Sequence, residues 1–146
     1  MEEVINLSIE EDLAIISFNN PPVNSLGLAV RKGLVEALNV AESNVNVRAI
    51  ILIGEGSTFP AGADIKEFGH PPQEPHLPAI CDKIEKTKKP VISALHGTAL
   101  GGGLEIALSS HYRIASEKTK IGLPEVHLGL LPGAGGTQRL PRLAGI

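Results

Sequence analysis

The chain has no tryptophan, one tyrosine and three phenylalanines, so the core its 146 residues build is aliphatic. It has a single cysteine, Cys81, which excludes an internal disulfide and is compatible with a reducing compartment. It has no excess of positive charge. Thirteen Lys and Arg stand against 16 Asp and Glu, a net charge of −3, which gives no general pull toward nucleic acid or an anionic membrane. No apolar run reaches the length of a bilayer span. Met1-Glu2-Glu3 lacks the basic segment of a secretory signal, and no peroxisomal tripeptide stands at Ile146. His96, His111 and His127 do not fall into H-E-x-x-H or a zinc pair, so no metal set is expected. Ser109-Ser110-His111 lacks the G-x-S-x-G elbow of a hydrolase. The phosphate signatures also fail. Gly97 and Gly102 have P-loop spacing, but Gly103-Leu104 stand where Lys-Ser/Thr is required. Gly101 and Gly103 begin a G-x-G-x-x-G that ends on Ile106.

What remains is a globular balance, 42 % hydrophobic and 20 % charged, of one domain at most. Val4 to Glu10 and Leu13 to Phe18 read as strands of a hairpin turning at Glu11-Asp12. Asn24 or Ser25 caps a helix whose apolar face is Leu26, Val30, Leu34, Leu38 and Ala41. Arg48 to Ile53 is nearly continuous in apolar residues, the pattern of a strand covered on both faces. Gly54 to Gly69 is loop, and His70 to Pro75 is a stiff proline link. Leu77, Ile80, Cys81 and Ile84 mark a second helix face, with Cys81 as core packing. Pro90 to Leu95 is a strand, Gly102 to Ser110 a helix, and Tyr112 to Ala115 a strand. The alternation predicts an α/β layer structure with parallel pairing.

Two carboxylates stand out. Glu105 follows Gly101-Gly102-Gly103-Leu104, and Glu125 follows Leu123-Pro124 just before Leu130-Leu131-Pro132-Gly133-Ala134-Gly135-Gly136. Two carboxylates brought together out of water do not easily both ionise, so one becomes an acid and the other a base. The glycines let backbone N–H groups approach a substrate, and a helix N-terminus offers unpaired amides. Acid, base and amide donors together point to chemistry at a carbonyl. Bland readings stand beside this: a solvated first-turn glutamate for Glu105, a helix-start residue after Pro124 for Glu125, and a tight turn for the glycine triplet. Arg139 and Arg142 read as surface residues or phosphate contacts, and Lys83, Lys86, Lys88 and Lys89 as a solvated helix end.

Three stretches in order resemble the enoyl-CoA hydratase (crotonase) family: Ala61-Gly62-Ala63-Asp64-Ile65-Lys66, His96 through Glu105, and Gly122-Leu123-Pro124-Glu125 through Leu140. Asn20 to Ser25 and Leu140 to Gly145 look most like the hydratase region of bifunctional β-oxidation enzymes, which fuse it to an NAD-dependent 3-hydroxyacyl-CoA dehydrogenase. The resemblance covers nearly the whole chain. It implies a ββα spiral core and an oxyanion hole from the N–H groups of Ala63 and Gly102. It implies catalytic roles for Glu105, which deprotonates the attacking water, and Glu125, which delivers a proton to the α-carbon. Ala61, Ala63, Asp64, Ile65 and Lys66 would line the coenzyme A site. No metal or redox cofactor is implied, since coenzyme A is part of the substrate.

The implied reaction is hydration of trans-2-enoyl-CoA to 3-hydroxyacyl-CoA. A shift of the double bond is the alternative, and a non-catalytic RNA- or acyl-CoA-binding module is the alternative of another class. RNA could meet only the four lysines. The expected partners are an acyl-CoA thioester and either further copies of the chain, as a trimer, or a fused dehydrogenase region. Neither nucleic acid nor membrane is expected. The expected location is a bacterial-type cytoplasm, with a peroxisome as the alternative. Family members continue past the position of Ile146 with helices that cover the acyl pocket and build trimers. Residues 1–146 are therefore expected to be an incomplete core, poorly active or aggregation-prone alone. Pro60, before Ala61, departs from the family pattern beside the oxyanion loop.

Overall fold

The structure, a computed structural model, describes residues 3–145. Strands β1 (Ile5–Glu10) and β2 (Leu13–Phe18) form the expected antiparallel hairpin, in register from Ile5 opposite Phe18 to Glu10 opposite Leu13. Helix α1 (Leu28–Ser43) follows and buries Val30, Leu34, Leu38 and Ala41, the face its periodicity predicts. Then come β3 (Ala49–Gly54), α2 (Leu77–Lys86), β4 (Val91–Leu95), β5 (Thr98–Leu100), α3 (Gly102–Ser109), β6 (Tyr112–Ala115), β7 (Lys120–Gly122) and α4 (Gly136–Ala144). The strands form a five-stranded sheet in the order β1-β2-β3-β4-β6, parallel from β2 onward, and a two-stranded parallel sheet of β5 and β7. The α/β reading and the parallel pairing both hold.

The core is aliphatic, as the composition requires. Ile16, Ile50, Leu52 and Val91 from the large sheet meet Leu34 and Leu38 of α1 and Ile80 and Ile84 of α2. Phe18 and Phe59 add one edge-to-face pair at 5.7 Å. Among the described residues, no helix is long and apolar enough to cross a membrane.

Three expectations are corrected. β3 was expected to be covered on both faces, yet Ile50 and Leu52 are fully buried while Ile51 and Ile53 are half-buried, because α1 and α2 meet one face of the sheet. Neither Asn24 nor Ser25 caps α1, which begins after Gly27 with no side-chain cap from that residue. Asn24 is instead buried in a turn with φ +53°, and its Nδ2 donates to the carbonyls of Glu55 (3.0 Å) and Thr58 (2.8 Å). The amide of Leu28, in the first turn of α1, donates to Glu67, far along the chain. Strands β5 and β7 and helix α4 were not foreseen. Three-residue strands show no period, and Gly135-Gly136 at the start of α4 and Pro141 inside it read as breakers.

Of the four lysines read as a solvated helix end, Lys83 lies 3.9 Å from Glu42. Lys89 donates to the carbonyls of Ala41 and Asn44, closing the C-terminal end of α1.

Candidate active site

Helix α3 is the molecule's central element, with every residue from Gly102 to Ser109 buried. Gly101 turns the chain out of β5 at φ +51°, a conformation that L side chains disfavour. A Cβ at Gly103 would overlap the carbonyl of Pro60. The glycine triplet is therefore a tight turn, as the bland reading held, and it also brings α3 against the loop that Pro60 precedes.

Glu105 sits in the first turn of α3 but is only 3 % exposed. The reading of a solvated first-turn glutamate is thereby overturned. Its Oε1 accepts from the amides of Ala134 (2.8 Å) and Gly136 (2.9 Å). Burial pushes its pKa above the ordinary carboxylate value, and the like charge of Glu125 adds to this. The two amides and the Arg139 guanidinium pull the other way.

Glu125 lies in a 3-10 turn, Pro124–Leu128, opened by Pro124 as the helix-start reading expected. Its Oε2 is buried and has no hydrogen-bond partner among the described residues. Its Oε1 stands close over Gly101, where a Cβ would come within 3.2 Å of it.

Two backbone amides share this space. The amides of Ala63 and Gly102 donate to no protein acceptor among the described residues. A Cβ placed on Gly102 would lie 4.0 Å from the Ala63 nitrogen. The carbonyl of each peptide is already held. The Gly62 oxygen accepts from Leu26 (3.0 Å), and the Gly101 oxygen accepts from Glu105 (2.9 Å). In a trans peptide the N–H points away from the C=O, so these bonds aim the Ala63 and Gly102 hydrogens and polarise them as donors.

A cavity of about 620 Å³ collects these groups. Ala61, Ala63, Ile65, Gly102, Glu105 and Glu125 all line it, beside Phe68, Leu77, Leu128 and Leu130. Asp64 and Lys66 do not reach it. They line a neighbouring cleft of about 370 Å³ that shares Ala63. Asp64 Oδ1 accepts from the amide of Lys66 (3.0 Å) at the start of a 3-10 turn, Ile65–Glu67. Among the described residues, no three His, Cys, Asp or Glu side chains converge as a metal set.

Two arginines organise the walls, and neither was read so from the sequence. Arg139 is neither a free surface residue nor open to a phosphate. Its guanidinium donates to the Ala134 carbonyl (3.0 Å), Asp82 (3.2 Å) and Glu85 (3.0 Å). Glu85 holds its pKa above the ordinary arginine value. Arg142 is exposed, as expected. Arg31 is buried on α1 and donates to the carbonyls of Leu26, Gln73 and Pro75 and to Glu67 (2.7 Å). An arginine inside the apolar repeat of α1 was the available signal. Cys81 is core, as expected, and burial pushes its thiol up to about 12.

Known proteins resemble this chain in sequence and in fold. A profile of the enoyl-CoA hydratase/isomerase family matches residues 8–146. The peroxisomal bifunctional enzyme of Danio rerio is 51 % identical over 138 residues, covering 94 % of this chain and 19 % of that protein. A probable enoyl-CoA hydratase of Bacillus subtilis is 45 % identical over 150 residues, covering 97 % of this chain and 57 % of that protein. The chain thus spans about a fifth of the first relative and just over half of the second. The crystal structure of an enoyl-CoA hydratase from Bacillus anthracis superposes with a TM-score of 0.90 at 39 % identity, over 98 % of this chain and 59 % of that one. The fold is crotonase-like, and the chain belongs to the enoyl-CoA hydratase/isomerase family.

Proposed function

We propose that the site hydrates trans-2-enoyl-CoA thioesters to 3-hydroxyacyl-CoA, as a step of fatty acid β-oxidation. The observation that carries this reading is the meeting of two carboxylates and two unpaired amides in one largely apolar cavity. The thioester oxygen accepts from the Ala63 and Gly102 amides, and Ala61 to Lys66 line the path of the coenzyme A moiety. Glu105 is fixed through Oε1, which leaves Oε2 for a water molecule. Glu125, with its unpartnered Oε2, is the second group for that water and for the substrate's α-carbon.

In the reaction Glu105 takes a proton from the water as its oxygen bonds to C3. The C2–C3 π electrons move into the thioester, and the two amides hold the enolate oxygen. Glu125 then gives its proton to C2. Hydration adds one water and leaves one proton on the pair at the start and at the end. Burial, which raises the pKa of Glu105, makes it a stronger base when ionised, and the Gly136 and Ala134 amides and Arg139 favour that ionised form. Each oxyanion donor contributes about 3 kcal/mol in comparable sites.

Glu125 beside the amides also supports a second reading, isomerisation. One carboxylate can remove a proton from C2 of a 3-enoyl-CoA and return it at C4. Loss of the enoyl-thioester absorbance of crotonyl-CoA tests hydration, with Glu105→Gln and Glu125→Gln in parallel. Hydration by the parent and near-silence in both variants is expected. A folded, full-length parent that shifts the double bond of 3-enoyl-CoA but adds no water would replace hydration with isomerisation.

A further inference from the structure

Three consecutive peptides of the Gly133–Gly136 turn alternate in what they hold. The first and third donate to Glu105 Oε1 through the amides of Ala134 and Gly136. The carbonyl of the middle one, on Ala134, accepts from Arg139. Arg139 is on α4, and its side chain is only 13 % exposed. Its remaining donors reach Asp82 and Glu85 on α2. The turn that grips Glu105 is thus itself gripped by a guanidinium anchored on a second helix. A Cβ at Gly135 would strike that guanidinium, so the turn and the arginine are fitted to each other.

We infer that Arg139, braced by Asp82 and Glu85, is a positioning residue that sets the orientation and proton state of Glu105 through the Ala134 peptide. This deepens the hydratase reading and rests on it for its effect on rate. The titratable and charged groups facing Glu105 are Glu125 from the Pro124–Leu128 turn, Arg139 from α4 and Cys81 from α2. Arg139 is the one cation in this set, and it bonds the turn that holds the carboxylate. A lysine is a point charge and cannot bond a carbonyl and two carboxylates in this planar arrangement.

The test uses the full-length protein and two readouts. The first is the pH profile of crotonyl-CoA hydration by the parent, Arg139→Gln and Arg139→Lys. With Arg139→Gln, kcat falls about 10–100-fold, the range expected when a reacting group is misplaced by a distant change, while KM stays within about threefold. The acidic limb of kcat moves to higher pH, because the cation and the firm amide bonds that favour ionised Glu105 are weakened. Arg139→Lys restores much of the limb but little of the rate. The second readout is an NMR titration of the Glu105 carboxyl, which needs no activity. Its midpoint rises in Arg139→Gln.

A parent that hydrates nothing defeats the hydratase reading, and the titration still judges the inference. If Arg139→Gln does not fold, Arg139→Met takes its place, an uncharged side chain of similar length that moves the midpoint in the same direction. A Glu105 midpoint and a kcat limb that stay where they are in a folded variant overturn the inference.

Discussion

Arg31 ties the amide wall of the cavity to α1, and Arg139 ties the carboxylate wall to α2. The first tie is the more enclosed of the two. Arg31 spends most of its donors on backbone carbonyls, and its ion-pair partner Glu67 also bonds the first turn of α1. The second tie ends on carboxylates that are 59 % and 56 % exposed, Asp82 and Glu85. Nearby, Leu128, Leu130 and Leu131 are exposed. Bonds made in low dielectric hold firmly and are costly to break, whereas pairs that end in water are weak and screened. The amide wall is therefore built for rigidity. The carboxylate wall is where modest changes alter chemistry before they alter the fold.

The largest break in that comparison is chemical. Glu125→Gln lowers kcat by about 10²–10⁴-fold with unchanged melting temperature, read by crotonyl-CoA assay and calorimetry. Next is the amide wall. Arg31→Ala costs about 2–3 kcal/mol in a denaturant titration, below the 3–5 of a fully buried pair because Glu67 is partly solvated. Equal destabilisation by Arg31→Ala and Arg139→Gln would erase the distinction between the walls.

A smaller effect is the pH dependence of stability. Glu105 has a folded pKa above its unfolded one, so between the two values the folded state binds more protons. Stability from this group is fully present below the unfolded pKa and declines as pH rises through the folded one. Glu105→Gln removes that decline, and pH-dependent unfolding of the two proteins reads it. The smallest effect is at Cys81. Its thiol sits near 12, so it resists thiol reagents at pH 8 until the protein unfolds. Above about pH 9 it adds a further decline in stability, because only the unfolded state then loses the proton.

Much of this was legible in the residues themselves. The period of Val30, Leu34 and Leu38 locates the face of α1, and the glycines before Glu105 announce both the turn and the amides. The pairing of Glu105 and Glu125 in one cavity follows the expectation drawn from their settings. The two arginine ties were not legible: Arg31 reaches backbone carbonyls 42 and 44 residues away, which carry no side-chain signal, and Arg139 reaches carboxylates on α2 54 and 57 residues away, with no local pattern to pair them. Helix α4 was hidden for a local reason: its glycines and Pro141 break the propensity rules, yet packing onto α3 and the Arg139 tie hold it. Asp64 also closes its own turn, a local role that its place beside Gly62 and Ala63 did not announce.

The most direct measurement is a crystal structure of the full-length protein with an unreactive enoyl-CoA analogue. The account predicts the thioester oxygen at about 3 Å from the amides of Ala63 and Gly102, with C2 and C3 facing Glu125 and Glu105. A thioester bound away from those amides, or a reacting carbon out of reach of both carboxylates, would contradict it.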